Sequence, residues 1–131
     1  MGTDYKGGST THMSILENLK NLKSEYKYED GYFFEKGLGR DHTRENYSQN
    51  PLETAKDFYD KLTYGGIETE FGSGKGLMTR MADGTIVSFR ETSTSDGSPV
   101  VEINVQKSNN HGDLKQQKIH FVIGGNKKWK N

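Results

Sequence analysis

The stretch "LMTRMADGTIVSFR", residues 77–90, decides the fold. Apolar and polar residues alternate on both sides of Asp83-Gly84, a dipeptide that favours a tight hairpin turn. A strand sends successive side chains to opposite faces, so Val87 and Phe89 share one face and their neighbours occupy the other. The stretch therefore predicts a β-hairpin with one apolar face and one polar face.

The same period of two recurs in the segments on either side of this hairpin. They are "IETEF" (67–71), "PVVEINV" (99–105) and "LKQQKIHFVI" (114–123). Two segments with helical spacing come first, "SILENLKNLKSEYKY" (14–28) and "NPLETAKDFYDKLTYGG" (50–66). Ser14 and Asn50 are the expected N-caps. The pattern predicts an α+β fold, with N-terminal helices packed on one face of a four- to five-stranded antiparallel sheet.

Length and composition favour one domain with a small core. The chain has 131 residues, of which 30% are hydrophobic, and it has no cysteine. Disulfides, thiolate nucleophiles and cysteine-ligated zinc are therefore excluded. No apolar run approaches the roughly 20 residues of a membrane helix, and no secretory signal is present. Residues 1–13 are predicted to be a disordered tag or linker, and residues 14–131 a single domain. Residues 29–49 are predicted to be irregular.

Net charge is zero, but basic residues concentrate at the C-terminal end. Residues 103–131 carry six lysines against one aspartate, whereas residues 1–75 carry 10 basic against 13 acidic residues. A basic segment on a neutral chain favours a phosphate-bearing partner. The alternative is a solvated basic tail, "GGNKKWKN" (124–131).

The predicted sheet has one face for the helices and one that is polar. The helix-facing residues would be Val87, Phe89, Val101, Ile103, Ile119 and Phe121. The opposite face would carry Arg80, Ser88, Arg90, Glu102, Asn104, Lys118 and His120. Several cations beside a histidine suit phosphodiester cleavage without a metal, because RNA cleavage through the 2′-hydroxyl needs a base, an acid and charge stabilisation.

Each side chain of the polar face has an expected role. Histidine side chains exchange protons near neutral pH, so His120 could be either base or acid. Arg80 and Arg90 could hold phosphate oxygens bidentately, and Lys118 would add a positive charge. The groups that could orient the histidine or the attacking oxygen are Glu102 and the hydroxyls of Ser88, Thr92 and Ser93; Asn104 completes the substrate-binding set.

These residues also admit structural interpretations. His120 could be a solvated strand residue, and Arg80 and Arg90 could form surface ion pairs with Glu102 and Glu68, worth about 0–1 kcal/mol each. "GSGKG" (72–76) lacks the spacing of a phosphate loop and is interpreted as a turn. No pair of histidines has metal-ligand spacing, so neither a metal nor another cofactor is expected.

The combination of "MADGTIVSFRETSTSDGSPVVEINV" (81–105) with "KQQKIHF" (115–121) resembles the C-terminal toxin domains of bacterial polymorphic toxins. Such domains are carried by contact-dependent inhibition or LXG-type proteins, and several resemble the barnase/EndoU/colicin/RelE group of metal-independent ribonucleases. The resemblance covers roughly residues 50–123. It implies a catalytic or phosphate-binding Arg90, a loop hydroxyl at Ser93, and an acid/base His120 supported by Lys118.

The resemblance also implies partners and a place of action. RNA, often tRNA in that group, would be the substrate, and a cognate immunity protein would bind the toxin. The domain would be a monomer, or a heterodimer with that protein. It would be delivered as part of a larger secreted protein, act in the target-cell cytoplasm and not engage a membrane. Two other functions stay open: a non-catalytic RNA- or protein-binding module, and a metal-dependent deoxyribonuclease toxin.

Overall fold

The computed structural model describes residues 13–37, 39–72, 74–93 and 96–124. These ranges hold two helices and nine strands. The helices are α1 (Ile15–Glu25) and α2 (Pro51–Leu62), and the strands are β1 (Tyr28–Glu29), β2 (Tyr32–Phe33), β3 (Glu35–Lys36), β4 (Thr43–Ser48), β5 (Ile67–Phe71), β6 (Gly76–Arg80), β7 (Ile86–Arg90), β8 (Val100–Asn104) and β9 (Gln117–Ile123). The prediction of an α+β fold is confirmed.

The main sheet is larger than predicted and not purely antiparallel. Its seven strands lie in the order β3-β4-β9-β8-β7-β6-β5, and β4 runs parallel to β9. The prediction of four to five antiparallel strands is therefore wrong. The extra strands β3 and β4 come from residues 29–49, which were predicted to be irregular. β4 has the sequence "TRENYS" and lacks apolar alternation, so its strand pairing left no periodic signal.

The five C-terminal strands form the predicted meander. Each pairs antiparallel with the next along the chain. The hairpin between β6 and β7 turns at Asp83-Gly84, with Gly84 at φ +103°. Met81 N–H donates to Thr85 O at 2.9 Å, so this closing hydrogen bond encloses three residues, 82–84, and not the two that the dipeptide predicted.

The apolar face predicted for the helices is buried. Val87, Phe89, Val101, Ile103, Ile119 and Phe121 are all at most 4% exposed. α2 packs against β4, β7, β8 and β9, whereas α1 packs mainly on α2. The prediction that both helices lie on the sheet face is therefore wrong for α1. Aromatic rings from residues 26–34 fill the space beside α2: Phe33 and Phe34 contact Phe58 with ring centroids 4.9 and 5.3 Å apart.

The two helices begin in different ways. Ser14 caps α1 as predicted, since its hydroxyl accepts from Leu16 N–H at 3.1 Å. Asn50 occupies the N-cap position of α2, but its side chain makes no capping hydrogen bond. Ser48 lies beside this helix start, because its hydroxyl accepts from Asn50 N–H at 2.9 Å and contacts Thr54 Oγ1 at 2.7 Å.

The first and last described residues can be compared with the predicted domain boundaries. Of the predicted tag or linker only Met13 is described, and its backbone joins the fold: its N–H donates to Gly65 O and its carbonyl accepts from Ala82 N–H. Most of the predicted basic tail, residues 125–131, lies outside the described residues. No helix in the described ranges combines the length and apolarity that crossing a membrane requires.

Candidate functional site

The strand registers put the predicted polar residues on one face of the sheet. Register partners share a face, as do residues two apart on a strand. Three rows run across the strands: Arg90, Val100 and His120; Ser88, Glu102 and Lys118; Arg80, Ile86 and Asn104. All seven predicted face residues therefore project away from the face that α2 covers.

The rows also show which of these residues are far apart. Arg80 and Asn104 lie in the third row, which is four residues, or about 13 Å, along the strands from the row of Arg90 and His120. Within the first row, Val100 separates Arg90 from His120, so their backbones are roughly 10 Å apart. The face is shared, but the predicted residues do not converge on one point.

His120 is held by the segment that connects β7 to β8. Its side chain is 9% exposed, and Nδ1 lies 3.0 Å from Ser98 Oγ and 3.4 Å from Asp96 Oδ1. The Ser98 hydroxyl donates to Asp96 at 2.6 Å, so its oxygen accepts from His120 Nδ1–H. That tautomer leaves Nε2 as the acceptor nitrogen, the arrangement that a proton-transferring histidine requires.

Asp96 organises this connecting segment. Its carboxylate accepts from the hydroxyl of Ser93 at 2.7 Å and from the backbone N–H of Ser98 at 3.0 Å. Gly97 at φ +78° makes the turn possible. Hydrogen bonding from Ser98 holds the pKa of the Asp96 carboxyl well below its usual range despite partial burial, and Ser93 and the nearby His120 lower it further. The carboxylate is thus ionised at neutral pH.

The groups that orient His120 differ from those predicted. Glu102, Ser88, Thr92 and Ser93 were the expected partners, but among the described residues only Ser98 and Asp96 make polar contacts with the ring. Ser93 is 5% exposed and its proton is committed to Asp96, so it holds the turn. "SDGS" (95–98) carried the signal for this turn, because an aspartate before glycine favours a side-chain-to-backbone turn.

Arg90 leans away from His120. In the register Phe71, Gly76 and Arg90 are neighbours, and the guanidinium carbon lies 5.4 Å from the centre of the Phe71 ring. Gly76 permits this contact, since a Cβ there would lie 2.4 Å from Phe71 Cζ. Arg90 therefore forms a cation–π pair toward the β5–β6 edge of the same face, away from the strand β9 that carries His120.

The surface ion pairs that were the alternative interpretation of Arg80 and Arg90 do not form in the described part of the chain. Neither Arg80 nor Arg90 has a carboxylate within 4.0 Å among the described residues. Glu68 lies on the other face, where Tyr59 Oη donates to it at 3.3 Å. Lys118 and Glu102 are register partners, but no ion pair within 4.0 Å joins them. The described cations of this face therefore form no ion pair within 4.0 Å, although Glu102 lies on the same face.

A cleft of about 890 Å³ opens beside Arg90, where the β5–β6 turn and the residues after β7 meet α2. In the described part of the chain it is lined by three cations, Lys56, Lys75 and Arg90, and by one acid, Glu91. Thr92 and Ser93 also line it, as do Phe71, Leu77 and Phe89. "GSGKG" is the predicted turn, and its lysine also reaches this cleft.

Glu45 is a further candidate that the sequence did not reveal. It is the register partner of His120 on the parallel strand β4, so both side chains project from the same face. Its carboxylate accepts from the Tyr47 hydroxyl at 2.7 Å. A strand assignment for residues 43–48 would have been needed to find it.

The candidate site thus lies at one end of the sheet, where His120, Asp96, Arg90 and the cleft are grouped. The described residues contain no cluster of three or more histidine, aspartate or glutamate side chains arranged to hold a metal ion. Comparison of the chain with protein-family models, with curated proteins and with solved structures finds no match.

Proposed function

We propose that this chain is a metal-independent endoribonuclease that cleaves RNA through its own 2′-hydroxyl. The observation that carries the proposal is the contact of His120 Nδ1 with Ser98 Oγ at 3.0 Å and with Asp96 Oδ1 at 3.4 Å, which favours the tautomer that leaves Nε2 to exchange a proton. A carboxylate that orients a histidine also stabilises the imidazolium that forms when the ring accepts a proton.

The remaining requirements of the reaction can be assigned to neighbouring residues. Glu45, on the adjacent strand, is the proposed second proton-transfer group, because cleavage through the 2′-oxygen needs both a base and an acid. Lys118 would stabilise charge that builds on the scissile phosphate. Arg90, which leans toward Phe71, would contact the neighbouring part of the RNA strand. Ser93 would support the turn that holds Asp96, and Ser88, Thr92 and Glu102 would contact the RNA around the scissile bond.

The biological role is proposed from the resemblance to polymorphic toxin domains. The domain would be carried into a rival bacterium by a larger secreted protein and would cut RNA, with tRNA as one candidate, in the target cytoplasm. A cognate immunity protein would block it. Acidic side chains on that protein would complement the unpaired cations beside Arg90 and speed association.

The burial of His120 favours a second candidate function. A side chain that is 9% exposed, with its Nδ1 engaged by a turn, could serve only to pin the segment between β7 and β8. The domain would then bind RNA through its cationic cleft without cutting it. Binding of that kind weakens with salt and leaves the RNA at its original length.

Incubation of the purified protein with total RNA, with and without EDTA, tests the proposal. Wild-type protein is expected to shorten the RNA equally in both conditions, and His120→Ala is expected to leave it intact while keeping the circular dichroism spectrum of the wild type. Intact RNA together with Mg²⁺-dependent cleavage of added DNA would favour the deoxyribonuclease alternative. Salt-sensitive binding of intact RNA would favour the binding module.

A further inference from the structure

We infer that the cleft beside Arg90 is a subsite for one nucleotide of single-stranded RNA, whose base stacks on the Phe71–Arg90 pair while its phosphate contacts Lys56 and Lys75. This inference rests on the proposed function, because it names where the substrate strand would lie. The cleft volume of about 890 Å³ falls within the range of about 300–1,000 Å³ of sites that enclose small ligands.

The charges of the cleft favour an anion. Among the described residues that line it, Lys56, Lys75 and Arg90 are cations and Glu91 is the one acid. None of the three cations has a carboxylate within 4.0 Å among the residues that the structure describes. Lysines gathered around one cleft repel one another, and a bound phosphate would relieve that repulsion.

The aromatic part of the cleft favours a nucleotide over a simple anion. Phe71 lies over Gly76, which leaves the ring half-buried and in contact with the Arg90 guanidinium at 5.4 Å. Proteins that bind single-stranded nucleic acid combine such ring and guanidinium surfaces with lysines that follow the backbone. Leu77 also lines the cleft, whereas Phe89 is 4% exposed and belongs to the core. A phosphate alone would use none of these apolar surfaces.

The cleft also lies where it could direct the RNA strand toward the proposed reaction centre. Ser93 lines it, and the Ser93 hydroxyl donates to the same Asp96 carboxylate that approaches His120 Nδ1. A strand that occupied the cleft would therefore pass beside the turn that holds the histidine. The nucleotide in the cleft would neighbour the scissile phosphate and would not contain it.

The test uses His120→Ala protein and a labelled 2′-O-methyl oligoribonucleotide, which cannot be cleaved through its 2′-oxygen. Binding is followed by fluorescence anisotropy against salt, with an abasic oligonucleotide of the same length, inorganic phosphate and a poly-glutamate peptide as competing probes. Lys75→Gln removes one proposed phosphate contact, Phe71→Leu removes the ring but keeps apolar surface, and Lys20→Gln on the exposed face of α1 is the matched charge control.

Lys75→Gln is expected to weaken binding of both oligonucleotides several-fold and to reduce the salt slope by roughly 0.7, the value for one phosphate contact on a single strand. Phe71→Leu is expected to weaken the base-bearing oligonucleotide roughly tenfold and to leave the abasic one unchanged. Lys20→Gln should change neither. Equal affinities for the two oligonucleotides, tighter binding of poly-glutamate, or no effect of Phe71→Leu and Lys75→Gln would each overturn the inference.

A parallel assay separates this inference from the proposed function. Wild-type protein that binds as described but leaves ordinary RNA intact would overturn the nuclease proposal and keep the subsite. The opposite result has two parts: wild-type protein cleaves RNA, and the Phe71 and Lys75 substitutions do not change oligonucleotide binding by the His120→Ala protein. That result would overturn the subsite and keep the nuclease.

Discussion

The Asp96 carboxylate approaches His120 Nδ1 at 3.4 Å, although the two residues belong to different segments of the chain and Asp96 is half exposed while His120 is buried. Ser98 completes the contact by donating to Asp96 and accepting from the ring. A short turn thus fixes the orientation of a strand histidine, and this relationship determines which of its nitrogens can exchange a proton.

Replacing Asp96 should reduce activity through the tautomer of His120. Asp96→Asn offers an amide in place of the carboxylate and removes the charge that stabilises the imidazolium, so we expect the cleavage rate to fall about ten- to a hundredfold. The pH dependence of the rate should shift as well, which a merely structural defect would not produce. The check is a pH–rate profile on a short RNA substrate, with Asp96→Glu expected to recover part of the rate.

Glu45 and His120 should control opposite limbs of the pH–rate profile. If one group takes the proton and the other gives it, Glu45→Gln and His120→Ala each remove one limb and each lower the rate about a hundredfold or more. Glu29→Gln, an exposed carboxylate on β1, is the matched control and should behave as the wild type. A Glu45→Gln protein with an unchanged pH–rate profile would show that a group other than Glu45 makes the second proton transfer.

Asp83 should contribute strongly to folding stability. It is 7% exposed and accepts from Ile15 N–H at 2.8 Å, from Thr85 and from the Ser108 hydroxyl, so it joins α1 to two turns. Asp83→Ala would leave these buried donors without a partner. We expect it to lower the free energy of unfolding by about 3 kcal/mol, measured by urea denaturation.

The contribution of Asp83 should depend on pH in a defined direction. Burial alone would raise the pKa of this carboxyl, but hydrogen bonds from Ser108, Thr85 and the Ile15 N–H outweigh burial and lower it. A group with a depressed pKa in the folded state stabilises above its ordinary value and loses that contribution as the pH falls. The stability difference between wild type and Asp83→Asn should therefore shrink below a pH of about 3.8. A constant difference down to acid pH would contradict this account.

Gly76 should be intolerant of a side chain. A Cβ there would lie 2.4 Å from Phe71 Cζ and 2.9 Å from the Phe89 carbonyl oxygen, so Gly76→Ala must displace the ring that Arg90 contacts. We expect a loss of about 1–3 kcal/mol of unfolding free energy, typical of overpacking. Adding Phe71→Leu should recover only part of this loss, because the contact with the Phe89 carbonyl oxygen persists. Additive losses of unfolding free energy in the double variant would indicate that the ring is not the obstacle.

Local pattern was sufficient to predict the helices, the five C-terminal strands and the polar face. Alternation in β7, β8 and β9 fixes which side chains project together, because the pleat has a period of two whatever surrounds it. Ser88, Arg90, Glu102, Lys118 and His120 could therefore be placed on one face from the sequence alone. Their separations within that face could not, because these depend on strand order and register.

Tertiary structure decided the features that local pattern does not record. The pairing of β4 with β9 brings Glu45 beside His120, and that choice of partner is non-local and left no trace in a polar strand. The cleft joins Lys56 of α2 to Lys75 and Arg90, three residues that adjoin only once the chain has folded. Periodicity thus determined to which face of the sheet each side chain points. Packing and hydrogen bonds between distant segments decided which side chains come into contact.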